Sequence, residues 1–197
     1  MEFAVRYAFI SIMAILEILT DDHPTLRKQA KAIRKFDAEL RRLAEDMLET
    51  MQAAPGIGLA APQVGVSRRL IVACDVENEN TVYAVVNPKI VRRDGEQTST
   101  EGCLSVPKLV GDVTRAMKVS IKGYDLDGTP FSCEAEGLFA RVFQHEVDHL
   151  NGILIVQRAI SGTLRPPDED KKDEENDLNQ DSEDADVQWK GSRQPVI

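Results

Sequence analysis

The stretch His145-Glu146-Val147-Asp148-His149 constrains this chain more than any other. It lies in a run from Leu138 to Leu150 in which Leu138, Val142, His145 and His149 recur at helical spacing, and Asn151-Gly152 supplies a stop. Residues four apart on a helix share a face, one turn apart, so both imidazoles can reach one ion. The face is apolar, which predicts a buried helix. A glutamate there is costly unless it has a partner or a task. The task that fits is taking a proton from water at an open position of the ion. Histidines that merely pack or cap are the plainer alternative. Against it, these are two of only three histidines in the chain.

A buried helix needs a shell, and the rest of the sequence reads as one. Asp37 is placed to cap a helix carrying Leu40, Leu43, Met47, Leu48 and Met51. After Pro55-Gly56-Ile57-Gly58, residues Leu59 to Val66 read as a glycine-bounded loop. Arg69 to Asp75 reads as a short buried strand, and Thr81 to Val91 as a strand interrupted at Asn87-Pro88. Val119 to Tyr124 and Phe131 to Glu134 read as a hairpin across Asp125-Leu126-Asp127-Gly128. Ile153 to Val156 is expected to be a last short strand. One helix, many strands and one more helix predict an α+β fold, with mainly antiparallel sheets packed around a central metal-binding helix and a helical segment towards the N-terminus.

With 197 residues the chain is expected to hold one core-bearing domain. Residues 1–12 read as an extension in front of Met13, the expected natural start, and 13–163 as the catalytic domain. From Arg165 onward there are 11 acidic and 5 basic residues, most of the formal charge of −9. Residues 164–197 are therefore expected to be an acidic, disordered tail. No clustered Lys and Arg suggest DNA binding, and no apolar run reaches the roughly 18–20 residues that span a bilayer.

A catalytic centre of this kind usually has three protein ligands. Downstream of His149 there is no histidine, which argues against an ordinary zinc-protease layout. Upstream, Glu101-Gly102-Cys103-Leu104-Ser105 offers a cysteine in a strand-like segment. A thiolate is a strong ligand for a soft or borderline metal, although most free cysteines are small buried fillers. Cys74 and Cys133, each within a strand pattern, fit the filler role better. Three sparse cysteines make no disulfide framework. Glu101 and Arg115 are expected to pair and orient the Cys103 segment.

Three segments together, in this order, resemble the signatures of the peptide deformylases: Gly56-Ile57-Gly58-Leu59-Ala60-Ala61-Pro62-Gln63, Glu101-Gly102-Cys103-Leu104-Ser105 and Gln144-His145-Glu146-Val147-Asp148-His149-Leu150. The resemblance runs from Met13 to Ser161. Leu104 matches the bacterial and plastid-like type. The resemblance implies a hydrolase of a linear amide bond that removes the formyl group from the N-terminal methionine of new polypeptides, releasing formate. It implies Cys103, His145 and His149 as metal ligands, Glu146 as the catalytic base and acid, and Gln63 with the Leu104 N–H as oxyanion donors. Fe(II) is the metal common in such proteins, while Zn(II), Ni(II) and Co(II) suit the same donors.

The chemistry suits the residues themselves. Water activated by the metal gives its proton to Glu146 and attacks the formyl carbon, the metal and Gln63 stabilise the oxygen charge, and Glu146 passes the proton to the leaving amine. Substrate contacts are expected from Gly58 and Gly102, which let a peptide backbone approach, and from Leu138 and Val142, which line a pocket for the methionine side chain. Arg141 is expected at the pocket rim. The expected partners are N-formylmethionyl nascent peptides near the ribosome exit. The expected setting is a monomer in the bacterial cytoplasm without membrane contact, with an organelle of bacterial origin as the alternative. A metallopeptidase would need a third ligand after His149, and a peptide-binding relative without catalysis would lack Glu146.

Overall fold

The run Leu70-Ile71-Val72-Ala73 has no polar side because both of its faces are covered. The computed structural model describes residues 14–20, 22–78 and 81–167, and in it this run belongs to an inner strand, Leu70–Asp75. Successive side chains leave opposite faces of a strand. Leu70 and Val72 join Leu40, Ala44, Met47 and Met51 of helix α1 (Ala38–Ala53), while Ile71 and Ala73 join Ala140, Phe143 and Leu150 of helix α2 (Gly137–Leu150). One sheet thus separates two helices, and each helix buries its apolar stripe on one face of it.

That sheet is antiparallel throughout. Its strands are β1 (Gly58–Ala60), β2 (Leu70–Asp75), β3 (Thr81–Asp94), β6 (Lys118–Tyr124) and β7 (Pro130–Glu136), in the order β1-β2-β3-β6-β7. β4 (Gln97–Glu101) and β5 (Gly111–Arg115) form a separate two-stranded ribbon. A third apolar cluster lies beside it, made of Leu26, Cys103, Val106, Val113, Leu154 and Ile155. The architecture is the α+β fold expected from the sequence.

Local chemistry explains the element ends. Asp37 caps α1 by accepting the Leu40 N–H at 3.0 Å. In the β6–β7 hairpin, Asp125 Oδ1 accepts the N–H groups of Asp127 and Thr129, both at 2.8 Å. Helix α2 stops at Gly152, whose φ of 74° lies in the left-handed region, and an added Cβ there would sit 2.7 Å from the Arg27 carbonyl carbon.

Three segments differ from expectation. Leu59 to Val66 is not a plain loop: Leu59 pairs with Val72 in β1, and Ala61–Val64 forms a 3₁₀ turn. Ile153 to Val156 is not a strand; Ile155–Gln157 is a 3₁₀ turn, with the Gln157 N–H bonded to Leu154 O at 2.9 Å. β3 continues past Asn87-Pro88 to Asp94, with a register shift between Val86 and Lys89. There Asn87 takes φ 52°, held by reciprocal bonds of its amide with the Ile33 backbone, both at 2.8 Å. Residues 1–13 and 168–197 lie outside the described residues, so the expected extension and most of the expected tail do too; the start of that tail, expected to be disordered from 164, is instead held to the ribbon, with Val110 and Arg165 exchanging backbone hydrogen bonds at 2.9 and 3.0 Å.

Candidate metal centre

Every residue of α2 from Phe139 to Leu150 is buried, so the helix runs through the middle of the protein. His145 Nε2 and His149 Nε2 face each other at 3.2 Å, and Cys103 Sγ lies 3.3 Å from His149 Nε2. The cysteine stands two residues past the end of β4, so the ribbon brings it to the helix. The three ligand atoms all lie within 4.8 Å of one another. Donors about 2.0–2.3 Å from one tetrahedral ion stand roughly 3.3–3.6 Å apart, so the spacing fits a divalent metal.

Charge arrangement supports that fit. Burial alone would push the Cys103 thiol up, but the imidazoles of His149 and His145 outweigh it and bring the thiol down to about 5. Burial alone would push His145 down, yet Cys103 and Glu101 hold it up at about 10. Thiolate and neutral imidazole are the forms that bind a metal, and a divalent cation can take the place of the protons these donors would otherwise hold. His145 Nδ1 sits 3.0 Å from Glu101 Oε2, which leaves Nε2 facing the cluster.

Glu101 is the hub of a buried network. Arg115 forks onto it, Nε to Oε1 at 3.0 Å and Nη2 to Oε2 at 2.9 Å, as expected from the sequence. Burial would raise the Glu101 carboxyl, but His145 and Arg115 hold it well below the usual carboxylate range. Arg141 corrects an expectation. It is 2% exposed, not at a pocket rim, and donates to Glu101 Oε1 at 2.6 Å, Val113 O at 2.9 Å and Gln97 O at 3.1 Å. A buried guanidinium needs acceptors, and these three take up three of its five N–H groups. Asp148 extends the network by accepting from Arg115 and, at 2.9 and 2.6 Å, from Arg158. The sequence reading assigned no role to Asp148 or Arg158. The signal was available: a carboxylate on a buried helix must find a cation.

Glu146 is different. It is fully buried, and neither carboxylate oxygen has a hydrogen-bond partner. Burial pushes its carboxyl up to about 7, against the pull of His145 and His149. The group has room only because residue 58 is glycine: a Cβ there would lie 2.4 Å from Glu146 Oε1 and 2.9 Å from Val142 Cγ1. The backbone of β1 is fixed by pairing, so the carboxylate would be the part to yield. Gly58→Ala is expected to fold, with its melting temperature little changed, and to lose activity about 100-fold, the size of effect that a ~1 Å misplacement produces. Wild-type turnover by that variant would show that the carboxylate position is not critical.

Gln63 is 1% exposed and held at both ends. Its Oε1 accepts the Ala60 N–H at 2.7 Å, and its Nε2 donates to Ser105 Oγ at 3.3 Å. One Nε2 hydrogen remains for another acceptor. Ser105, buried and within the same motif as Cys103, is a contact that the sequence reading did not single out. Leu104 and Gly102 flank Cys103 and are half-buried, and the Leu104 N–H donates to no group among the described residues. Leu138 is half-buried one turn before Val142, against the core between α2 and the sheet.

Comparison with known proteins points to one family. The sequence profile of the polypeptide deformylase family matches residues 15–164. A peptide deformylase of Symbiobacterium thermophilum is 50% identical over 163 residues, covering 83% of this chain and 74% of that one. The crystal structure of a peptide deformylase from Legionella pneumophila superposes with a TM-score of 0.73 at 43% identity, covering 86% of this chain and all of that one. A peptide deformylase from Synechococcus elongatus in complex with actinonin gives 0.70 at 43% identity, covering 75% of this chain and 80% of that one.

Proposed function

The chain belongs to the polypeptide deformylase family and removes the N-formyl group from newly made polypeptides, and we propose that it does so at the Cys103–His145–His149 centre with Glu146 as proton carrier. The observation that carries this reading is the Glu146 carboxylate, buried without a partner beside three metal donors. A divalent metal on those donors supplies a Lewis acid that acidifies water and polarises a carbonyl.

This chain's own groups supply the rest. Glu146, with a carboxyl near neutral pH, takes the proton of the attacking water and returns it to the leaving amine. The Gln63 Nε2–H and the Leu104 N–H donate to the formyl oxygen as it becomes negative. Ala60 and Ser105 hold the Gln63 amide in place beforehand, so little reorganisation is needed during the reaction. Glu101 keeps His145 in the tautomer that presents Nε2 to the metal, and Arg115 and Arg141 keep Glu101 ionised.

β1 is an edge strand, and Gly58 on it packs against Glu146. An extended peptide added to that edge, with Gly102 opposite, would bring its N-terminus to the carboxylate. Val142 and Leu138 then line the place of the methionine side chain. Fe(II) is the proposed metal; the thiolate and two imidazoles also suit Zn(II), Ni(II) and Co(II).

The catalytic domain is taken as residues 13–163, supported by the family match over 15–164. The acidic segment beyond residue 167 is taken as a tail outside the chemistry. The reading places the enzyme as a monomer in the bacterial cytoplasm, acting on formylated chains near the ribosome exit. Its similarity to bacterial deformylases supports that setting, and among the described residues no helix is long and apolar enough to cross a membrane. Anaerobically purified protein is expected to release formate from a formyl-Met-Ala-type peptide, and to lose that activity in air unless a reductant is present. Indifference to air would count against iron, and absence of formate under any condition would count against the whole reading.

A further inference from the structure

Residues 14–20 form neither helix nor strand, yet their backbone is tied down at three points. The Ala14 N–H donates to Asp46 Oδ1 at 2.9 Å, the Leu16 N–H to Thr50 Oγ1 at 2.8 Å, and the Leu19 N–H to the Gln63 carbonyl at 2.7 Å. Asp46 and Thr50 are buried polar residues on α1, among Leu40, Met47 and Met51. Such residues are costly on a buried face unless their polar atoms are used, and here both serve the segment. Thr50 donates its own hydroxyl proton to Asp46 O at 2.6 Å, which leaves its oxygen free to accept from Leu16.

The two repeats match. Two residues of extended chain advance about 6.6 Å, and four residues of helix advance about 6.0 Å. Ala14 and Leu16 can therefore engage Asp46 and Thr50 in step, while Ile15 between them points to solvent at 66% exposure. Leu16 packs on the cluster that contains Leu59 and Ala61, and Leu19 packs on the cluster that contains Cys103. The segment thus touches the supports of both the Gln63 turn and the Cys103 loop, and it bonds directly to the backbone of Gln63.

We propose that residues 14–20 are a strap whose register on α1 places the Gln63 turn, which makes Asp46 and Thr50 positioning residues for deformylation. This rests on Gln63 being an oxyanion donor. Loss of one strap anchor should lower the turnover step and leave peptide binding alone, because Gln63 bonds the oxygen most strongly in the transition state.

The test is a double-mutant cycle on metal-loaded full-length protein with a formyl-Met-Ala-type peptide, with circular dichroism and metal content confirming the folded fraction. Thr50→Val is expected to lower kcat about tenfold with KM little changed, a part of the ~100–1000-fold that loss of a whole oxyanion donor costs. Thr50→Ser should restore kcat. Asp46→Ala should act like Thr50→Val, and Asp46→Asn, which keeps an acceptor, should recover. In a Gln63→Ala background Thr50→Val should cause little further loss. Should Thr50→Val fail to fold, the Asp46 pair in the same two backgrounds decides.

A Gln63→Ala enzyme with wild-type kcat would remove the premise and the strap role with it. A slow Gln63→Ala enzyme, with Thr50→Val and Asp46→Ala either at wild-type rate or equally harmful in both backgrounds, would sink the strap alone.

Discussion

Glu146→Gln is expected to keep its metal and fold while formate release falls by about three orders of magnitude, within the ~10²–10⁴-fold range that a positioned acid–base group contributes. Glutamine has the same shape as glutamate and fits the space left by Gly58. It cannot accept a proton from water or return one to the amine. The carboxylate has no hydrogen-bond partner and no exposure, so it contributes nothing visible to folding. A buried charge without a partner destabilises a fold, and the melting temperature of the variant should be unchanged or higher. An activity loss without a stability loss separates a chemical role from a structural one. Turnover within a few-fold of wild type would mean that another group carries the proton.

Cys103→Ala is the second large effect, and it should act earlier, on the metal itself. Removing the sulfur leaves two imidazoles and no thiolate. Metal affinity should fall by more than the ~10–100-fold typical of losing an outer partner of a ligand, and activity should fall with it. Cys133→Ala is the internal comparison. Burial, together with Asp75, pushes the Cys133 thiol up to about 11, so it remains a protonated filler against the apolar cluster of α2 and the sheet. That variant should bind metal and turn over as the wild type does. Equal metal content in the Cys103 and Cys133 variants, measured by elemental analysis after anaerobic purification, would contradict the assignment of Cys103.

The contrast between these cysteines shows what the sequence could and could not reveal. Cys133 sits in an alternating strand pattern, and its filler role was legible. Helix α2 was legible too, because a 3.6-residue period and a glycine stop are local signals. So were the α1 cap at Asp37 and the hairpin turn at Asp125. What stayed hidden depends on distant partners. β4 and β5, whose sequences QTSTE and GDVTR are largely polar, pair with each other and carry no apolar alternation to announce them. β1 is three residues long, and only its pairing with β2 makes it a strand.

Arg141 is the instructive case at the site. Helical spacing puts it on the same side as His145, one turn earlier, and from there a rim position was a fair expectation. Its destination is set by Glu101, 40 residues upstream in sequence, whose two oxygens serve Arg141, Arg115 and His145 together. The Glu101–Arg115 pair was anticipated as a single contact, whereas the structure makes it part of a chain through Asp148 to Arg158. Periodicity places a residue on a face. It does not say which acceptor arrives opposite that face.

The same network explains why a soft ligand set can be held rigidly in a buried site. Two ligands come from one helix and the third from the loop that joins the two strands of the ribbon. Glu101 at the end of β4 grips both the helix, through His145 and Arg141, and the other strand of the ribbon, through Arg115. The loop that carries Cys103 leaves directly from that grip, and Cys103 itself is anchored in the apolar cluster of Leu26, Val106 and Leu154.

The most direct test of the central claim is a titration of metal-stripped protein with Fe(II) under anaerobic conditions, reading formate release from a formyl-Met-Ala-type peptide. Activity should be absent at the start, rise in proportion to added metal and level off at one ion per chain, with Cys103→Ala failing to follow. Formate release at full rate by the stripped protein, or saturation that Cys103→Ala reproduces, would contradict a catalytic centre built on Cys103, His145 and His149.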